Sequence, residues 1–248
     1  WRQEYEKAME DKKRAKTLGS TLSGATVEDE NSSKKVQDVL RRRRHLILLA
    51  QNQTGLQNLF KLISESYKSE NFYRYPRMDY DLLAKYGEGI IAASACLGGV
   101  YAGNFWENRE EGDEAVLNAM RETTRRMVAI FGDRWYGELQ WNNVPEQHKL
   151  NQFIIKMHEE FGIGLISTAD SHYPNRDAWK DRELYKRLGW LGKAAPSYES
   201  TELPIDVDEI GYELYPKNGD QMWESYKKYS VECGVEYDDD LVLQSIKH

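Results

Sequence analysis

Hydrophobic and polar positions alternate between two rhythms along this 248-residue chain. Leu56, Leu59, Phe60, Leu62 and Ile63 fall at helical spacing within GLQNLFKLISESY, and DEAVLNAMRETTRRMVAIF, residues 113–131, carries an amphipathic pattern that stops at Gly132. Pro145 suits the first turn of a further helix running through Phe161, because a residue without an N–H loses nothing there. Between these lie short apolar runs with strand character: HLILLA at 45–50, GIIAASA at 89–95 after a turn at Gly87 to Gly89, WYGELQ at 135–140 and GIGLIST at 162–168. Strands and helices in alternation predict an α/β fold, a parallel sheet or barrel, in which chemistry gathers where strands end.

The first 44 residues break this rhythm. WRQEYEKAMEDKKRAKTLG has the charge density of a solvated helix closed by a glycine, STLSGATVEDENSS reads as a flexible loop, and KKVQDVLRRRR as a short helix leading into the first strand. Two readings stand for this basic segment, an arm that meets DNA phosphates or an exposed insertion. The chain as a whole is acidic, with a formal net charge of −7, which argues against a surface built wholly as a nucleic-acid cradle. An apolar fraction of 40% is enough to bury a core. Two cysteines, Cys96 and Cys233, are too few for a disulfide framework and fit a reducing compartment. No apolar run approaches the roughly 18–20 residues of a membrane span, so a cytoplasmic location and no membrane partner are expected. The chain begins at Trp1 rather than Met and is read as the remainder of a longer product.

Candidate chemistry sorts by its place at strand ends. His45 opens one strand, Cys96 follows IIAASA, and Asp170 and His172 follow LIST. Two residues apart on an extended backbone, Asp170 and His172 leave on the same side, so the pair could hold a divalent metal or simply close a hydrogen-bonded turn before Pro174. Mixed nitrogen, sulfur and oxygen donors suit zinc, with manganese or iron where carboxylates dominate. Glu138 is either a partner to metal ligands or an exposed strand residue. His148, His158 and His248 are read as solvated, Asp238-Asp239-Asp240 as a solvated loop, and Trp135, Tyr136 and Trp141 as core rather than base-stacking residues. Gly98-Gly99 is read as a turn, and neither a G-x-x-x-x-G-K-[ST] nor a G-x-G-x-x-G loop is present.

Five blocks, HLILLAQNQTGLQNLFKLISESY, YRYPRMDYDLL, GEGIIAASACLGG, FGDRWYGELQWNNVPEQHKLNQ and LISTADSHYPN, follow one another in an order and spacing that resembles the polymerase-and-histidinol-phosphatase (PHP) domain of bacterial DNA polymerase III alpha subunits. The resemblance spans roughly residues 45–230, and the basic segment ahead of it is more like a divergent, phage-type branch. It implies a distorted β/α barrel of seven strands, incomplete here at its N-terminus, with metal held at strand ends by His45, Cys96, Asp170 and His172. The expected organisation is a basic helical insertion and loop at 1–44, a PHP-like barrel at 45–215, and a helical connection at 216–248 toward an absent polymerase palm. The family's H-x-H-S and D-H-G motifs and its metal-binding Glu are expected upstream of Trp1 or replaced within 1–44.

By the same resemblance, the intact protein would be a DNA-directed DNA polymerase that uses magnesium in its polymerase domain and works in DNA replication. Its partners would be DNA, an exonuclease and a sliding clamp. The portion in hand would be a metal-dependent phosphoesterase with exonuclease-like chemistry or a non-catalytic scaffold. A free-standing histidinol-phosphatase-like enzyme is the third reading, and PEQHKLNQ and SACLGG argue against it because they match the polymerase branch.

Overall fold

A computed structural model describes residues 43–73, 75–190 and 212–247, with single positions 7, 10, 13 and 210. The expected N-terminal helices and loop fall almost wholly outside the described residues, as does His248. The architecture is mixed α/β, with eight helices and six strands among the described residues. It divides into two compact units, one taking in residues up to Ala92 together with Ala129–Gly132, the other Ala93–Val128 and Asp133 onward.

In the first unit, strand β1 (Ile47–Ala50) leads through Asn52 into helix α1 (Gln53–Ser66). The Asn52 side chain accepts the Gly55 N–H at 3.0 Å and so supplies one of the four acceptors a helix start lacks. A short antiparallel pair, β2 (Phe72–Tyr73) and β3 (Tyr75–Pro76), precedes α2 (Tyr80–Tyr86) and β4 (Ile90–Ala93). The turn before β4 needs a left-handed residue, Gly89 at φ +68°, and it presses on α1 so closely that a Cβ at Gly55 would lie 1.8 Å from the Gly89 carbonyl oxygen. Helix α1 therefore turns Gly55, Asn58, Leu62 and Ser66 inward, while Leu56, Phe60, Ile63 and Tyr67 face outward, Phe60 being 59% exposed.

In the second unit, α3 (Val100–Asn108), α4 (Asp113–Phe131, its last residues counted with the first unit), β5 (Trp135–Gln140), α5 (Pro145–Phe161) and β6 (Gly164–Thr168) follow in order. Helices α6 (Trp179–Trp190), α7 (Gly219–Glu232) and α8 (Asp239–Lys247) complete it. Helix α4 ends before Gly132, whose φ of +60° suits a helix stop, and α5 begins at Pro145, both as the sequence pattern predicts. Strands β5 and β6 are parallel, with Glu138 beside Ile166 and Gln140 beside Thr168. Helix α5 lies close on β5 because Gly137 offers no side chain, and a Cβ there would meet Ile154 Cγ2 at 2.5 Å.

Polar groups in the core of this unit are chained together. Trp135 Nε1 donates to Tyr101 Oη at 2.9 Å, Tyr101 Oη lies 2.8 Å from Thr124 Oγ1, and that hydroxyl donates to the Met120 carbonyl at 2.7 Å. Trp141 packs edge-on against Tyr226 and Tyr237 and donates to Ser167. Both tryptophans are buried, so neither stacks on bases.

Two polar expectations are corrected here. His148 is 0% exposed rather than solvated, since the segment carrying Tyr237 covers its helix face, with Nδ1 2.8 Å from Tyr237 Oη and Nε2 donating to the Asn142 carbonyl at 3.1 Å. The aspartate run is not a loop. Asp238 accepts the N–H groups of Asp240 and Leu241, and Asp239 opens α8 while accepting from Lys227. His158 is half-buried and donates from Nδ1 to the Ile163 carbonyl.

Candidate functional site

The site is built where β4, β5 and β6 deliver their C-terminal ends into the second unit. Beyond Ala93 the chain runs beside β5, with Ser94 N–H donating to the Tyr136 carbonyl at 3.0 Å and Ser94 Oγ accepting the Glu138 N–H at 2.9 Å. Ala95 then takes φ +61°, a left-handed conformation that costs a residue with a Cβ, and it turns its N–H onto Glu138 Oε2. A tight turn follows, with Gly99 N–H donating to the Cys96 carbonyl at 2.7 Å and Gly98 N–H to Cys96 Sγ at 3.4 Å. Gly99 is required by this packing, since a Cβ there would fall 2.0 Å from the Ser94 carbonyl oxygen.

Glu138 sits in the middle of this arrangement and is 5% exposed. The exposed-residue alternative is thereby overturned. In a strand covered on one side, the alternation of WYGELQ would send Tyr136, Glu138 and Gln140 to water, but here both faces of β5 are covered, as parallel strands commonly are. Burial pushes the Glu138 carboxyl above the usual carboxylate range, Asp170 adds to the rise through its charge, and hydrogen bonds from Thr168 and Ala95 oppose it. The Cys96 thiol is pushed up for the same first reason, burial, with the charges of Asp170 and Glu138 adding to it. A thiol and two carboxyl groups thus share one electrostatic neighbourhood.

Asp170 has φ +47°, the second left-handed non-glycine position beside Glu138. Its carbonyl accepts from His172 Nδ1 at 2.6 Å, which fixes the proton on Nδ1 and leaves the Nε2 lone pair free to meet a Lewis acid. The His172 backbone is held in turn, its N–H donating to the Leu214 carbonyl at 2.7 Å while Tyr173 Oη accepts the Leu214 N–H. Of the four residues singled out in the sequence, then, Cys96 and Asp170 lie within electrostatic reach of Glu138, and the His172 ring is tied to the Asp170 carbonyl. His45 lies in the first unit, exposed, just ahead of β1. Among the described residues, no three histidine, cysteine, aspartate or glutamate side chains form a ready-made cation cage.

Comparison with known proteins bears on this geometry. The model of the PHP domain family matches residues 3–142, a range that includes His45, Cys96 and Glu138 and stops short of Asp170 and His172. Similar curated proteins include one from Aquifex aeolicus, 45% identical over 131 residues, covering 53% of this chain and 11% of its own length. Another from Borreliella burgdorferi is 34% identical over 193 residues, covering 78% of this chain and 16% of its own. A third, from Deinococcus radiodurans, is 34% identical over 178 residues, covering 72% and 12%. Each is named DNA polymerase III subunit alpha, and this chain spans well under a fifth of the length of each. With a family match over more than half its residues, the chain belongs to the PHP domain family.

Proposed function

We propose that this chain is the PHP portion of a replicative DNA polymerase III alpha subunit and that the neighbourhood around Glu138 is a metal-dependent phosphoesterase site. Likeness to alpha subunits from three distant bacteria supports the first part. One observation carries the second: Cys96, Glu138 and Asp170 lie within electrostatic reach of one another at strand ends, with two left-handed backbone positions at Ala95 and Asp170. Ionising the thiol and both carboxyl groups together is opposed by their mutual repulsion, and a divalent cation is the partner that would turn that repulsion into attraction.

Mixed sulfur, oxygen and nitrogen donors are the chemistry a divalent cation takes. Cys96 Sγ, Asp170 and His172 Nε2 would hold it, with zinc, manganese or iron as the metals this mixture suits. Such an ion, when bound, lowers the pKa of a coordinated water and polarises a phosphoryl oxygen. The chain's own part is positional. Ala95 N–H and Thr168 hold the Glu138 carboxyl in place, and the bond from Nδ1 to the Asp170 carbonyl sets the His172 ring. A seven-stranded barrel belongs to this proposal. So do DNA synthesis with magnesium in the intact protein, exonuclease and clamp partners, a cytoplasmic location and the phage-type branch. Among the described residues no helix is long and apolar enough to cross a membrane.

Metal analysis of the purified protein, alongside hydrolysis of an aryl phosphodiester, tests the site. Stoichiometric zinc, manganese or iron that is lost in Asp170→Asn, together with the hydrolysis, is the expected result. An intact protein that carries no stoichiometric metal refutes the phosphoesterase reading. The second reading, a scaffold bracing the polymerase and its partners, draws support from the outward row of Leu56, Phe60, Ile63 and Tyr67 on α1, an apolar surface of the kind that protein contacts cover.

A further inference from the structure

A cavity of about 410 Å³ opens in the second unit beyond the Asp170–His172 turn, and neither the family match nor the reading above uses it. Pro174, Asn175 and Arg176 form one wall, and Glu213, Tyr215, Gln221, Glu224, Ser225 and Lys228 form the others. Its volume lies within the range of small-ligand sites.

The wall chemistry is biased toward an anion. Glu213 is saturated: it pairs with Lys217 at 3.0 Å, accepts from Ser225 Oγ at 3.2 Å and is bonded by Tyr229, so its charge is already met. Lys217 is itself buried and spends its ammonium on Glu213 and, at 2.7 Å, on Ser225. Arg176 and Lys228 both lie within electrostatic reach of Lys217, so three cations cluster around one neutralised carboxylate. Neither Arg176 nor Lys228 makes an ion pair with a carboxylate among the described residues, which leaves Glu224 as the sole uncompensated anion against two cations in the lining.

Two neutral side chains add to the bias. Asn175 Oδ1 accepts the Ala178 N–H at 3.2 Å and Gln221 Oε1 accepts the Asn218 N–H at 3.0 Å. With both carbonyl oxygens occupied by backbone, the NH2 groups are what these amides offer a ligand. Two cations and two amide donors at one concavity, against the single charge of Glu224, make a receptor for an oxyanion.

We propose that this cavity binds the phosphate of a phosphate ester, with Arg176 and Lys228 as the charged contacts and Asn175 and Gln221 as neutral donors. A cavity of this size takes an organic group along with the phosphate. The site stands independently of the phosphoesterase reading, because no donor proposed for the metal is among its residues.

Calorimetric titration of the full chain with inorganic phosphate, with a deoxynucleoside 5′-monophosphate, with a 5′-phosphorylated tetranucleotide and with the unphosphorylated nucleoside tests it. Saturable binding of one or more phosphorylated probes, none of the bare nucleoside, and weakening of about tenfold in Arg176→Gln or Lys228→Gln are expected, one charged contact each. Both side chains are exposed, so the variants keep the fold. Tighter binding of the tetranucleotide than of the monophosphate assigns the site to a strand end, and equal binding assigns it to a free phosphate ester. Binding must persist in Asp170→Asn and under EDTA, so that loss of the metal site and loss of this one are told apart. No saturation with any phosphorylated probe, equal affinity in the variants, or abolition by EDTA overturns the proposal.

Discussion

His148→Phe removes an imidazole whose two ring nitrogens both have partners while keeping a planar ring in its place. In the neutral ring, Nε2–H donates to the Asn142 carbonyl, and Nδ1 faces Tyr237 Oη, whose single proton is shared with the His148 carbonyl. The variant loses the bond to Asn142, worth about 0.5–1.5 kcal/mol net, leaves that carbonyl one donor short at about 1–3 kcal/mol, and keeps Tyr237 bonded to the backbone carbonyl of residue 148, so a loss of about 2–4 kcal/mol follows. The pH dependence is the sharper signature. Burial holds the His148 pKa below the ordinary histidine value, partly opposed by the bond to Asn142.

A group whose folded pKa is depressed contributes stability that is present above its unfolded value and lost as pH falls toward the folded one. Below about pH 6.5 the wild type should therefore lose up to about 1.4 kcal/mol per pH unit through this residue until the folded pKa is reached. The phenylalanine variant should lack that component. Urea unfolding followed by tryptophan fluorescence between pH 7.5 and 5.5 measures both quantities, since Trp141 lies 6.1 Å from the His148 ring. Equal loss of stability in the two proteins across that interval would show that His148 is not held neutral by its surroundings and would refute the reasoning.

Other outcomes follow from the same packing. Gly137→Ala places a Cβ 2.5 Å from Ile154 Cγ2, so thermal denaturation should show a cost of about 1–3 kcal/mol, and Ile154→Val in the same chain should recover part of it. Lys217→Met leaves Glu213 buried beside an apolar chain and should cost about 3–5 kcal/mol, whereas the double change with Glu213→Leu should cost far less, a pattern that a double-mutant cycle in urea reads directly. Gly99→Val drives a side chain into the Ser94 carbonyl and should displace the Cys96 turn. Alkylation of the Cys96 thiol should then run faster than in wild type, where burial keeps it in the less reactive neutral form, and an unchanged rate would count against that turn geometry.

Local rules written in the sequence placed the main elements. Gly132 and Pro145 mark the end of α4 and the start of α5, and the apolar runs at 90–93, 135–140 and 164–168 became strands because each is short, apolar and bounded by turn residues. The Asp170-x-His172 spacing predicts a pair on an extended backbone, but Asp170 lies past the end of β6 at φ +47°, and the observed link runs from the His172 ring to the Asp170 carbonyl rather than to its carboxylate. Cys96 was legible from its place after a strand of small residues.

Burial could not be read in this way, because it depends on what a distant segment brings. Glu138 alternates like a solvent-facing residue and is buried because Ala95 and Thr168 close over it from neighbouring strands. His148 lies on a helix face that is apolar only in part, and it is covered by Tyr237, 89 residues away in the chain. The chain's own pattern of residues thus determined which segments are helix or strand and which side chains stand at strand ends. Tertiary structure alone decided which polar groups leave water, and with that the shifted acidities around Glu138 and His148, since desolvation is set by packing across the fold and not by neighbours in the chain.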